Sequence, residues 1–384
     1  MEKRLFPSIG REISLLGFGL MRLPTFGGQA KNIDYPTVEK MVDRALEAGI
    51  NYFDTAYVYH EGESETNAGR ALSRHNRADY HVATKLPLWI VSSAQRAESI
   101  FAEQLQKLQT DYIDFYLAHN IGASSFKILE DLKVYDILSQ KKQAGQIRYL
   151  GFSVHDSPQH LDKILAAHDW DFAQIQLNYI DWVSLKSEEL YQKLTAKNIP
   201  VIIMEPVRGG ALANLPADAE KLLRTYDPKA SSASWALRFA ASLPGVMTVL
   251  SGMSAPDQME DNLATFSSFK PLNDAERVIL DKVATSFRLA NAVPCTGCRY
   301  CMDCPQGVNI PINLSIYNQY RAMMLENQQL APLMFGNYYR TLVESEQAVN
   351  CLACGECSTH CPQNISISDH LKQIADLAAS ISDS

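Results

Sequence analysis

From Leu16 to Met253 the chain alternates short, unbroken apolar runs with longer segments whose apolar positions recur at helical spacing. The runs are LLGFGL, INYFDTA, YHVATKL, YIDFYLAH, IRYLGFSVH, FAQIQLNYI, PVIIMEPV and VMTVLSGM. Such runs, without strict alternation, suit strands buried on both faces, as in a parallel sheet. In PTVEKMVDRALEAG, by contrast, Val38, Met41, Val42, Ala45 and Leu46 share one helix face, and Gly49 stands where a helix cap is expected. The eight runs with their intervening helical segments predict an α/β fold, a (β/α)8 TIM barrel. The first run is not followed by GxGxxG, which counts against an open dinucleotide-binding sheet. RLFPSIGREIS, ahead of the first run, reads as a hairpin turning near Gly10. Beyond Met253 the pattern turns helical, in APDQMEDNLATFSSF, NDAERVILDKVATSFRLA, residues 311–347 and ISDHLKQIADLAASI.

Composition sharpens this division. All eight cysteines lie at or after position 295, in two groups of four, so we expect a barrel over 1–270 and a small, mainly α-helical domain over 271–384. The 384 residues are 46% hydrophobic and 20% charged, as in an ordinary globular protein. A net charge of −8 without a basic stripe argues against nucleic acid as a partner. No secretory signal and no membrane span are evident, which gives a cytoplasmic expectation. In a reducing compartment, clustered thiols point to metal ligation rather than disulfides.

The second group, CLACGECSTHCP, spaces Cys351, Cys354, Cys357 and Cys361 as a bacterial 4Fe–4S run that ends in Cys-Pro. The first, CTGCRYCMDCPQG, places Cys295, Cys298, Cys301 and Cys304 with one residue fewer before the last cysteine. In two-cluster ferredoxins the fourth cysteine of each run serves the other cluster. Two 4Fe–4S clusters in a ferredoxin-like domain would then be held by Cys295, Cys298, Cys301 and Cys361, and by Cys351, Cys354, Cys357 and Cys304. A zinc site is the alternative, although one zinc needs only four ligands.

Chemistry in a (β/α)8 barrel collects at the carboxyl ends of its strands. There the sequence places Asp54 and Tyr59 after the second run, Lys85 in the third and His119 at the end of the fourth. Hydride reduction of a carbonyl leaves an oxyanion that needs a proton, and a tyrosine with its pKa near ~10 is a poor acid at neutral pH. A buried lysine would stabilise the phenolate, an aspartate would hold the lysine, and a histidine would orient the carbonyl.

The stretches INYFDTAYVY, HVATK, DFYLAH and GQIRYLGFSVH resemble the aldo-keto reductase superfamily over residues 1 to about 265. With its cysteine-rich tail, the whole chain resembles the bacterial members that carry a C-terminal ferredoxin-like domain. The resemblance assigns the catalytic tetrad to Asp54, Tyr59, Lys85 and His119, with Tyr59 as proton donor. It implies an extended NADP(H) or NAD(H) cofactor, met by Ser153 and Gln176 at the carboxamide, with Asn178 nearby, and by Gly19 and Met21 at the ribose. Gly252, Met253, Ser254, Gln258 and Asn262 would line the phosphate and adenosine end.

The sequence departs from the family at three places. Ser153-Val154-His155 replaces Ser-Asn, Met204 stands where an aromatic ring often stacks, and Ser251 and Gln258 replace basic partners of a 2′-phosphate. Arg208 is a further candidate for such a charge, and the first two departures leave room for a flavin. Trp89, Tyr57, Phe18 and Trp182 are candidate walls of a pocket for a small carbonyl, quinone or enone. A nicotinamide moves electrons in pairs and a cluster moves them singly. The sequence therefore admits three roles: a reductase wired to a ferredoxin or other redox protein, a carbonyl reductase with structural clusters, or a redox sensor.

Overall fold

The computed structural model describes residues 1–290, 293–302 and 304–382. They divide into two compact units: one of Met1–Val207 with Ala233–Leu272, the other of Arg208–Ser232 with Asn273–Ser384.

The first unit opens with a hairpin of β1 (Lys3–Leu5) and β2 (Glu12–Ser14), paired antiparallel around positive-φ Gly10. Eight parallel strands follow: β3 (Leu16–Gly19), β4 (Tyr52–Asp54), β5 (His81–Pro87), β6 (Ile113–His119), β7 (Ile147–Val154), β8 (Phe172–Gln176), β9 (Val201–Met204) and β10 (Val246–Ser251). They close into a barrel, with β10 hydrogen-bonded to both β9 and β3. Each lies within one of the expected apolar runs or extends a single residue beyond it, because a strand buried on both faces carries no polar alternation. Gly151 permits the close approach of β7 and β8: a Cβ there would lie 2.6 Å from the Phe172 carbonyl oxygen.

The helix Tyr35–Glu47 buries Val38, Met41, Val42 and Ala45, four of the five expected positions. Gly49, at φ +89°, ends it, and the Ile50 N–H returns to the Ala45 carbonyl. The hairpin seals the amino end of the barrel, where Ile9 and Ile13 pack with Tyr52, Phe115, Phe172 and Met247. Arg4 fastens it further by donating to the Ala241, Leu243 and Val246 carbonyls. That end is closed, and the loops at the carboxyl ends remain to form a site.

The second unit is helical, with helices at Ala217–Tyr226, Asp274–Ala290, Ile310–Glu326, Leu330–Arg340 and Ile367–Ser382. Its core gathers Val308, Ile310, Leu314, Phe335, Ile367, Leu371 and Ile374, and cysteines pack directly against it. Among the described residues no helix is long and apolar enough to cross a membrane.

Candidate active site and cluster sites

The carboxyl ends of β4, β5 and β6 converge on one buried ion pair. Lys85 Nζ donates to Asp54 Oδ1 at 2.6 Å and to the Thr55 carbonyl at 2.7 Å. An ammonium has three protons, so one remains for the Tyr59 side. The Tyr59 ring centroid is 4.8 Å from Nζ, and the ring meets His119 edge-on at 6.1 Å between centroids. Burial pushes Asp54 up and Lys85 down, each shift opposed by the other's charge. Burial, then the Lys85 charge, drives His119 well below the ordinary histidine value, so its ring is neutral at pH 7. The structure thus brings the four expected residues together. Tyr59 keeps 9% of its surface open, and Trp89, 44% exposed, lies 5.0 Å from the His119 ring.

The other three expected pocket walls lie elsewhere. Phe18 is fully buried against Phe53, its register partner on β4, on the face of β3 opposite Gly17 and Gly19. Trp182 packs on Tyr191 and Phe239, and the Tyr57 hydroxyl donates to Glu103 Oε2 at 2.6 Å.

Two polar layers around the tetrad escaped the sequence reading. Fully buried Glu65 accepts from Thr84 Oγ1 at 2.5 Å and from Gln104 Nε2 at 2.6 Å. Gln104 also donates to the Lys85 carbonyl and accepts from the Tyr116 hydroxyl. The signal was a glutamate on the apolar stripe of the helix Ser64–Leu72, in line with buried Ala68, Gly69 and Leu72. The second layer centres on buried Asp181, whose Oδ2 accepts from Gln176 Nε2 and Asn178 Nδ2, both at 2.7 Å. His155 bonds the Gln176 side chain. The residue is half-buried, and burial lowers its pKa to about 4.

The expected nucleotide contacts lie along the carboxyl rim. Ser153 Oγ accepts from the Asn120 N–H at 2.8 Å. Met204 ends β9, with its sulfur 3.5 Å from Gln174 Nε2. Gly19 and Gly252 keep the β3 and β10 ends bare of side chains: a Cβ on Gly19 would meet the Ser251 carbonyl at 3.4 Å, and one on Gly252 the stem of Arg22. Arg22, beside Met21, pairs with Glu205 at 3.1 Å. Met253 is buried, Ser254 donates its N–H to Gln258 Oε1, and Asn262 donates to Ser251 Oγ. Arg208 falls in the second unit, buried with its guanidinium 5.8 Å from the Phe287 ring.

The second unit holds two open cavities ringed by thiols. One is lined by Cys295, Cys298, Cys301 and Cys361. The other is lined by Cys301, Cys304, Cys351, Cys354 and Cys357. Among the described residues no three metal-binding side chains converge as ligands of a single ion. Rings of four thiols about a cavity fit a cluster's donor set. Burial and the neighbouring Cys298, Cys295 and Cys361 push the Cys301 thiol up to about 12. The Cys357 thiol is raised by burial and by Cys351 and Cys354. The two motifs repeat one local device: the Gly297 and Ala353 N–H groups donate to Cys295 and Cys351 Sγ, each at 3.4 Å. Both residues take positive φ, +65° and +53°.

Residues 15–285 match the model of the aldo/keto reductase family, and residues 294–365 match a 4Fe-4S dicluster domain. The chain is 28% identical to an uncharacterised oxidoreductase, YqkF, of Bacillus subtilis, over 68% of this chain and 90% of that one. It is 27% identical to an NADH-specific methylglyoxal reductase of Escherichia coli, over 71% and 96%. Among solved structures, the holo form of the aldo-keto reductase AKR11C1 from Bacillus halodurans superimposes with a TM-score of 0.62 at 29% identity, covering 74% of this chain and 96% of that one.

Proposed function

Because the chain belongs to the aldo/keto reductase family and carries a C-terminal 4Fe-4S domain, we propose that its barrel reduces a small carbonyl compound with Tyr59 as proton donor. The observation that carries this reading is the Lys85 ammonium, bonded to Asp54 at 2.6 Å and seated 4.8 Å from the Tyr59 ring. When bound, a nicotinamide would supply the hydride, and two 4Fe–4S clusters would pass single electrons to or from a ferredoxin or other redox protein. The functional division we propose is a barrel over 1–270 and an iron–sulfur domain over 271–384.

Tyr59 gives its phenolic proton to the oxygen that gains charge. Lys85 makes that transfer easier by stabilising the phenolate left behind, and Asp54 holds the lysine cation in place. Neutral His119 orients the carbonyl from the adjoining wall. Gly19 and Gly252, which leave backbone bare at the rim, suit an extended nucleotide there. The segment SGMSAPDQMEDN carries no lysine or arginine of its own, and Arg44, which reaches it, is paired with Glu260, which favours NAD(H) over a 2′-phosphorylated nucleotide. Cys295, Cys298, Cys301 and Cys361 would hold one cluster, and Cys351, Cys354, Cys357 and Cys304 the other, following the two rings of thiols.

A second reading, in which the clusters only staple the helical unit, draws support from the packing of the cysteines against its core. The test is an inventory of anaerobically purified protein (iron, sulfide, zinc, flavin, nicotinamide) with turnover of Tyr59→Phe. About eight irons and a loss of turnover of roughly 10²–10⁴-fold in the variant are expected. Unchanged turnover would sink the Tyr59 assignment. Turnover that survives cluster removal would favour the staple.

A further inference from the structure

The turn that carries Tyr59 is wound the wrong way for ordinary residues. His60 and Glu61 have φ of +53° and +55°, and Gly62 follows at +92°. Two side-chain-bearing residues in succession in the left-handed region persist only where their surroundings fix them. The His60 ring supplies that fixation. Its Nδ1 lies 2.7 Å from the Ala30 carbonyl oxygen, and the Leu23 N–H donates to its Nε2 at 3.0 Å. A carbonyl only accepts and an amide only donates, so the ring is the neutral tautomer with its proton on Nδ1. Burial, which lowers the pKa of His60, keeps it so.

The two anchor points stand at either end of the exposed tip of the loop between β3 and the helix Tyr35–Glu47, where Phe26 is 58% exposed and Gly27 and Gly28 take positive φ. The same loop bears Met21 and Arg22, and Arg22 reaches Glu205 just past the end of β9. The loop therefore crosses the carboxyl rim from the Tyr59 turn toward β9, and one imidazole fastens its near side.

We infer that His60 is a positioning residue that holds this loop over a nicotinamide nucleotide bound along the rim, thereby coupling nucleotide retention to the seating of Tyr59. The inference rests on the nicotinamide reading above. The experiment follows hydrogen exchange of residues 20–33, the equilibrium affinity for NADH and the steady-state constants, in wild type, His60→Phe, His60→Gln and His60→Asn. In His60→Phe the Leu23 amide exchanges at least tenfold faster and NADH binds about tenfold more weakly, the scale of one to two lost buried hydrogen bonds. KM for the nucleotide rises more than kcat falls. Glutamine, which restores an acceptor at the reach of Nε2, recovers part of both effects. Asparagine, too short for that reach, leaves Leu23 unprotected, so the question is still answered should the phenylalanine variant fail to fold. Unchanged exchange in 20–33, no recovery with glutamine, or a loss confined to kcat would overturn the inference. If wild type binds neither NADH nor NADPH, the functional reading fails, and the nucleotide half of this inference fails with it. The exchange data still decide whether His60 fastens the loop.

Discussion

Removal of the lysine and of its counter-ion should have separable effects. The side chains of Lys85 and Asp54 are 0% and 4% exposed and meet at 2.6 Å. Lys85→Met keeps the length of the stem but strands the Asp54 carboxylate, whose Oδ2 already has no hydrogen-bond partner among the described residues. Breaking a buried pair from one side destabilises by about 3–5 kcal/mol, because the remaining charge is uncompensated. Replacing both partners with apolar groups is commonly neutral. Lys85→Met should therefore lose about 3–5 kcal/mol, and the double variant Lys85→Met/Asp54→Leu should recover most of it. Turnover should behave differently. Both variants lack the cation beside Tyr59 and should stay down by roughly 10²-fold or more. Urea unfolding followed by tryptophan fluorescence suits the measurement, since Trp89, Trp170, Trp182 and Trp235 all lie in the barrel unit. Equal stability of the single and double variants would refute the stranded-charge argument. Turnover restored in the double variant would refute the role given to Lys85.

Three further outcomes are expected. Cys361→Ser should abolish the cluster of the first cysteine motif and Cys304→Ser that of the second, each leaving about four irons per chain by iron analysis and electron paramagnetic resonance; loss of the cluster nearer in sequence would rule out the crossed assignment. His119 and His155 are both held neutral by burial, His155 at about 4, so the unfolded chain binds more protons just below pH 6.5; stability should be full above that pH and decline as pH falls toward 4, with a shallower decline in His155→Phe, by urea titration across pH. NADH should exceed NADPH in kcat/KM, because Ser251 and Gln258 stand in place of basic partners of a 2′-phosphate; a preference for NADPH would show that a cation from outside residues 251–262 reaches it.

The barrel was legible because parallel strands buried on both faces leave continuous apolar runs, and the cysteine spacing was legible because a cluster tolerates few alternatives. What stayed hidden depends on long-range packing. In the four-residue β3, periodicity cannot distinguish a pocket wall from a core position, and Phe18 went to the core. The helical stretch expected over 311–347 breaks after Glu326, where Asn327 Oδ1 caps the next helix by accepting from the Gln329 and Leu330 N–H groups. Glu65 and Asp181 read as surface acids until their partners from other elements are seen. Residues 208–232, placed by sequence order between two barrel strands, group with the helical unit, where Ala217–Tyr226 packs on Asp274–Ala290. No composition shift marks that exchange.

The two thiol rings have a consequence for how the protein is made. The first cavity takes Cys361 from the second motif, and the second takes Cys304, with Cys301, from the first, across the segment between 304 and 351. The first ring is complete only once residue 361 has left the ribosome and the second only once residue 357 has, so on the crossed assignment proposed above iron delivery would wait for both motifs rather than proceed motif by motif. A proteolytic nick anywhere between the motifs would loosen both rings together, and oxidation of Cys304 or Cys361 would be felt first at the distant motif.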